Sequence, residues 1–162
     1  MLNHILVPLD GSELAERALT YARQIVSKDG QIDLLTVIDA PEYPTSVYYP
    51  AGLPAFDLTR TELQRDVVPQ AEEYLNRLAE TLRSYGYKVT VEVAVGEAAT
   101  AIVEHANERE TDAIVMSTHG RSGLSRWLFG SVANKVLTSV CIPVFVIPAK
   151  KFDGKKTKDA AE

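Results

Sequence analysis

Two rhythms alternate along this chain. Short, nearly continuous apolar runs occur at Ile5, Leu6, Val7 and Leu9, at residues 32–38, at residues 113–116 and at residues 144–147. Runs of this length and texture suit strands covered on both faces of a parallel sheet. A fifth run differs: Val89, Val91, Val93 and Val95 alternate with Thr90, Glu92 and Ala94, which predicts a strand with one wetter face, at a sheet edge.

Between the runs the apolar spacing changes to three and four. Ala15, Ala18, Leu19, Ala22, Ile25 and Val26 share one helical face, with Ser12 as the N-cap and Gly30 as the stop. Thr59-Arg60-Thr61-Glu62 has the spacing of a capping box. The pattern after it, from Leu63 through Tyr74 and Leu75 to Leu82, runs until Gly86, with Pro69 set to kink or divide the helix near Val67 and Val68. Ala99, Ile102, Val103 and Ala106 begin a third helix after Gly96, and Val132, Ala133, Val136 and Leu137 form a fourth. Strands and helices alternate with no hairpin signal such as Asn-Gly, which predicts an α/β fold with a doubly wound parallel sheet and right-handed crossovers.

The connection from the fourth strand to the fourth helix carries the candidate chemistry. Ser117-Thr118-His119-Gly120 breaks the apolar run at once, and Gly130-Ser131 opens the helix ten residues later. Small residues at both ends let backbone N–H groups approach a ligand, and the free N–H groups of a helix's first turn attract anions, so this is a candidate phosphate site.

Ser117-x2-Gly120-x9-Gly130-Ser131 resembles the nucleotide motif of the universal stress protein (UspA-like) family, usually Gly-x2-Gly-x9-Gly-Ser/Thr. The resemblance spans roughly residues 2–148, because the opening IL-VPLDGS and the closing IPVFVIP are similar to that family's first and last strands. Ser117 departs from the pattern, standing where the fuller motif has glycine. The resemblance implies a five-stranded sheet of order 3-2-1-4-5 with helices on both faces, the adenine nucleotide alpha hydrolase-like arrangement. It also implies ATP, with Mg2+, as the ligand, and a homodimer formed by antiparallel pairing of the strand from Val144 to Ile147.

Residue roles follow from the same comparison. By itself Asp10 reads equally as a turn residue capping the first helix or as a ligand contact; the match of Pro8-Leu9-Asp10 to the family's first strand implies contact with ribose hydroxyls or a divalent ion. Val37 would offer its backbone to the adenine edge, and Met116 would pack against the base; without the resemblance both read as core. Backbone N–H groups near Gly120, the Arg121 guanidinium, and Gly130, Ser131 and Val132 would surround the phosphates, with Ser122 and Gly123 completing the loop's share. His119 either touches a phosphate or braces the loop, and Ser117 adds its N–H and hydroxyl.

Composition narrows the alternatives. The chain has 162 residues, 46% of them hydrophobic, which suits one domain over residues 1–148 and a flexible tail over 149–162 with five lysines and three acids. A net charge of −5 argues against general attraction to nucleic acid or an anionic membrane. No segment has the ~20 apolar residues of a membrane span, and the start lacks a signal-peptide pattern, which predicts a cytoplasmic protein. The single cysteine, Cys141, reads as a buried structural thiol in a reducing compartment. Residues 39–57, with Pro41, Pro44, Pro50, Pro54 and four aromatic residues, form a long connection that is either a lid or partner surface, or a variable excursion.

Sharper chemistries are unsupported. The chain has no Gly-x4-Gly-Lys-Ser/Thr, no Gly-x-Gly-x2-Gly after the first strand and no Gly-x-Ser-x-Gly, and His4, His105 and His119 lack metal-ligand spacing. The family resemblance implies a nucleotide-binding regulator of stress response, which is the primary reading. A nucleotide-independent dimeric interaction protein of the same fold, or a slow ATP hydrolase, is the alternative.

Overall fold

Every apolar run becomes a strand, and all five strands pair in parallel. The computed structural model describes residues 1–38, 67–118 and 130–148. In chain order the elements are β1 (Leu2–Pro8), α1 (Glu13–Ile25), β2 (Val26–Ile38), α2 (Val68–Ser84), β3 (Lys88–Val95), α3 (Ala98–Glu108), β4 (Ala113–Ser117), α4 (Ser131–Ser139) and β5 (Val144–Ile147). The sheet order is β3-β2-β1-β4-β5, so β3 is indeed an edge strand, and β1 and β4 are central neighbours.

The two-residue strand period sorts side chains onto two cores. Ile5, Val7 and Leu9 of β1 pack with Ile32 and Leu34 of β2 and with Ala15, Ala18 and Ala22 of α1 and Leu75, Ala79 and Leu82 of α2. On the opposite face Leu6, Leu35, Ile114 and Met116 meet Ala99, Ile102 and Ala106 of α3 and Ala133 and Val136 of α4. Alanines on the buried stripes of α1 and α3 let those helix axes lie close to the sheet, where larger side chains would hold them off.

Three expectations need correction or narrowing. First, α1 ends at Ile25 and not at Gly30: Val26 still donates its N–H to Ala22 O, then turns extended and starts β2 six residues early. Leu2 pairs with Val26 but His4 pairs with Gln31, so β2 bulges in between. Gly30 sits in that bulge, where a Cβ would lie 2.6 Å from Val26 Cγ2 and 3.0 Å from the Asn3 carbonyl oxygen. Its role is close approach, which composition alone cannot separate from a helix stop. Second, Cys141 is exposed, not buried, because it follows the end of α4 at Val140 and precedes Pro143, outside the packed stripe. Third, α2 starts at Val68 with Pro69 in its first turn, where the missing N–H costs nothing. The capping box at Thr59, residues 39–57 and the tail 149–162 lie outside the described residues.

One polar group sits in the middle of the α3-facing core. Asp33 of β2 is 1% exposed. Its Oδ1 accepts from the Thr90 hydroxyl at 2.5 Å and the Gln31 amide at 2.8 Å. Its Oδ2 lies 2.8 Å from His4 Nε2 and 3.3 Å from His105 Nε2. Burial alone would raise the Asp33 pKa, but hydrogen bonds from His105, Thr90, Gln31 and His4 outweigh it and hold the carboxyl well below the usual range. The hydrogen bond to Asp33 raises His105 above its ordinary 6.5, burial opposes the shift, and Glu92 adds to it. The carboxylate of Asp112 is also held low, by N–H bonds from His4 and Asn3 that pin the start of β1.

Two stability outcomes follow. Gly30→Ala is expected to lower unfolding free energy by about 1 to 3 kcal/mol, read as a lower urea midpoint, because the bulge has no room for a methyl. Asp33→Asn is expected to lower it by about 3 kcal/mol near pH 6, since it breaks a buried ion pair from one side. In the parent protein the Asp33 contribution is complete above about pH 4 and is lost as pH falls, whereas the His105 contribution is complete below about pH 6.5 and is lost as pH rises through its elevated folded value. The Asp33→Asn variant should show a shallower acid limb than the parent in a pH series of denaturant melts, since Asp112 and Glu97 keep their own share.

Candidate functional site

The chain leaves β1 toward one face of the sheet, into α1, and leaves β4 toward the other, into α4. Between adjacent parallel strands whose connections diverge, a crevice opens beyond the carboxyl ends. Here it is a cavity of about 290 Å³. Pro8, Leu9 and Asp10 come from the end of β1, Met116 and Ser117 from the end of β4, Val37 from β2, and Gly130, Ser131 and Val132 from the start of α4. All nine were singled out in the sequence. His119, Gly120, Arg121, Ser122 and Gly123 lie outside the described residues, so the structure tests no part of their assignment.

Five lining residues were missed: Ala15, Leu35, Ala98, Ile102 and Ala133. Leu35 could have been found from Val37, since residues two apart on a strand share a face. Ala98 and Ile102, four apart on α3, required knowing that α3 covers the same side of the sheet as α4. That is a fact of topology.

Asp10 is held in place by its own turn. Its Oδ1 accepts from the Ser12 N–H at 3.0 Å and the Ser12 hydroxyl at 2.6 Å, and Ser12 Oγ in turn accepts from Ala15 N–H at 3.1 Å. Gly11 between them has φ +79°, the left-handed conformation that glycine adopts without strain. Both readings of Asp10 are therefore compatible: it braces the α1 N-terminus and still faces the cavity. On the α1 and α2 side of the sheet, burial and the carboxylates of Glu16 and Asp10 push the Tyr74 phenol up, so it stays protonated at neutral pH.

Ser117 closes β4, 9% exposed, and pairs in register with Ile147. It keeps an ordinary strand conformation, so a Cβ at this position costs no backbone strain. Gly130 is the N-cap of α4 at φ −54°, and among the described residues no side chain caps that helix. The first-turn residues Ser131, Val132 and Ala133 belong to the pocket lining.

Next to the lining residue Ala98, an ion pair ties α3 to α4. Glu97, the N-cap of α3, accepts from the N–H groups of Ala99 and Thr100 at 3.2 and 2.9 Å and from Lys135 Nζ of α4 at 2.7 Å. Lys135, then the Thr100 hydroxyl and N–H, hold the Glu97 pKa down to about 2. Both partners are half exposed, so the pair sets the spacing of α3 and α4 more than it adds stability. Among the described residues no group of three or more His, Cys, Asp or Glu side chains is arranged as a metal site, and no helix is long and apolar enough to cross a membrane.

Comparison with known proteins agrees with this architecture. The chain is 32% identical over 151 residues to Universal stress protein MJ0531 of Methanocaldococcus jannaschii, covering 91% of this chain and 82% of that protein. It is 30% identical to Universal stress protein MJ0577 of the same organism, whose solved structure superposes with a TM-score of 0.75 and covers 93% of this chain and 99% of that one. A universal stress protein solved in complex with cAMP shares the fold at a TM-score of 0.62 and 22% identity, covering 92% of this chain and 98% of that one. The sequence model of the Universal stress protein family matches residues 1–148, and the chain belongs to that family.

Proposed function

We propose that the cavity between β1 and β4 binds an adenine nucleotide, ATP with Mg2+, and that the protein is a nucleotide-responsive regulator of stress response. One observation carries the reading: Asp10 and the Gly130-Ser131 helix start, 120 residues apart in the chain, line the same cavity. Leu35, Val37, Ile102 and Met116 give that cavity an apolar surface suited to a flat base, while Asp10, Ser117 and Ser131 supply polar groups. First-turn N–H groups of α4 suit phosphate oxygens. Hydrogen bonds to charged groups contribute roughly 1.5 to 3 kcal/mol each, so four or five support the ~8 kcal/mol of micromolar binding after ordering costs. The cAMP complex of a fold relative is a further point in favour of an adenylate.

The donor set also fits magnesium. Among the described residues Asp10 is the one carboxylate of the lining, and Mg2+ typically takes one or two carboxylates together with nucleotide phosphates and waters. Asp10 would hold the ion, which would neutralise phosphate charge beside it.

The homodimer belongs to the same proposal. β5 is a sheet edge, and Phe145 on it is 40% exposed. An exposed apolar edge strand invites pairing, and a second copy in antiparallel register would cover it with two-fold symmetry.

Gly130→Val is expected to abolish ATP binding in calorimetry while leaving the melting transition intact, because φ −54° suits any residue and the new side chain would enter the cavity. Unchanged affinity would remove the site. Val146→Asp is expected to convert dimer to monomer in sedimentation velocity; a persistent dimer would put the interface elsewhere.

A further inference from the structure

The ion cluster around Asp33 lies directly beneath the nucleotide cavity, on the same two elements. On β2, Asp33, Leu35 and Val37 face α3 in succession, and Leu35 and Val37 line the cavity. Strands rise about 3.3 Å per residue, so the carboxylate sits roughly 7 Å below the lining. On α3, Ala98 and Ile102 line the cavity, and His105 follows Ile102 by three residues on the same helical face. His105 thus links the helix that walls the cavity to the sheet, a turn below the lining.

His105 is 6% exposed and reaches two carboxylates at once. Its Nε2 is 3.3 Å from Asp33 Oδ2 of β2, and its Nδ1 is 3.4 Å from Glu92 Oε2 of β3. The other groups facing this cluster are His4 of β1, which shares Asp33 Oδ2, and Arg109, the C-cap of α3, 3.3 Å from Glu92; Thr90 and Gln31 add uncharged hydrogen bonds to Asp33. Nε2 is hydrogen-bonded to Asp33 and Nδ1 stands within ion-pair distance of Glu92, so an imidazolium attracts both carboxylates. A neutral imidazole keeps one donor and turns a lone pair toward the other carboxylate, so losing the proton converts one of two attractions into a repulsion.

We propose that His105 is a positioning residue for the ligand cavity: as an imidazolium bridging Asp33 and Glu92 it seats α3 on the sheet, keeps Ala98 and Ile102 against the ligand, and makes nucleotide binding weaken as pH rises. The inference rests on the nucleotide reading above. Its sign follows from linkage. His105 titrates above its ordinary value in the folded protein, so the seated helix is complete below about pH 6.5 and is released as pH rises through the elevated value. A ligand that prefers the seated helix must, reciprocally, hold the proton on His105 more tightly.

The test is calorimetry of Mg-ATP binding between pH 6 and 8.5 on the parent protein and on His105→Gln, with NMR titration of the His105 ring with and without Mg-ATP. Ionisation of ATP itself acts equally on both proteins, so the difference between their profiles is the readout. The parent should lose affinity about five-fold or more relative to His105→Gln over that range, the low end of ordinary coupling, and Mg-ATP should raise the His105 titration midpoint. Glu92→Gln removes one bridging carboxylate while keeping Asp33, and should move the parent's affinity midpoint to lower pH; it serves also if His105→Gln does not fold. Parallel pH profiles with ATP bound, or a His105 midpoint indifferent to ligand, would overturn the proposal and leave the nucleotide reading standing. Absence of ATP binding by the parent at every pH would overturn the nucleotide reading, and this proposal with it.

Discussion

The divergence of two chain connections governs this molecule. Parallel strands cannot be joined by a tight turn, so each must return over a face of the sheet through a helix. Because β1 is followed by a helix on one face and β4, its neighbour, by a helix on the other, the ends of those two strands are left uncovered by either helix. The cavity is a consequence of topology, and the residues at those ends, Asp10 and Ser117, face it whatever their chemistry. Chemistry then decides what can enter. A carboxylate fixed by its own turn stands on the β1 side, and a helix start with no side-chain cap among the described residues stands on the β4 side.

The same sheet face holds a second, costlier arrangement. A carboxylate as enclosed as Asp33 is stable only because hydrogen bonds and imidazole nitrogens surround it. Ion pairs of this kind add little net stability compared with apolar packing, since desolvation offsets most of the attraction. What they impose is position: Asp33 has partners on β1, β2, β3 and α3, so α3 has one register against the sheet in which every group is satisfied. Glu97 and Lys135 perform a weaker version of this at the upper end of α3, exposed to solvent.

Much of the site was legible because small and polar residues interrupt apolar runs at strand ends, where their presence has few structural explanations. Nine lining residues were readable this way or through family resemblance, from Pro8 at the end of β1 to Val132 in the first turn of α4. The five missed were all apolar: Ala15, Leu35, Ala98, Ile102 and Ala133. In one dimension an alanine that walls a cavity looks the same as an alanine that packs a helix. Gly30 shows the same ambiguity, because a glycine after an amphipathic stretch reads as a helix stop, whereas here it makes room for the Asn3 carbonyl inside a bulge. Cys141 failed for a related reason: apolar neighbours in sequence do not bury a residue that sits between elements.

By itself the sequence determined the alternation of strands and helices, the parallel sheet, the edge position of β3 and the small-residue helix start at Gly130, since each depends on period, turn chemistry or backbone freedom within a few residues. Tertiary structure alone decided that Asp33, His4, His105 and Glu92 would meet, because they come from four separate elements and their spacing of 29, 59 and 13 residues carries no local signal. It also decided which alanines wall the cavity. Both outcomes depend on which face of the sheet each helix covers, and that choice is made by long-range packing after the local elements are already specified.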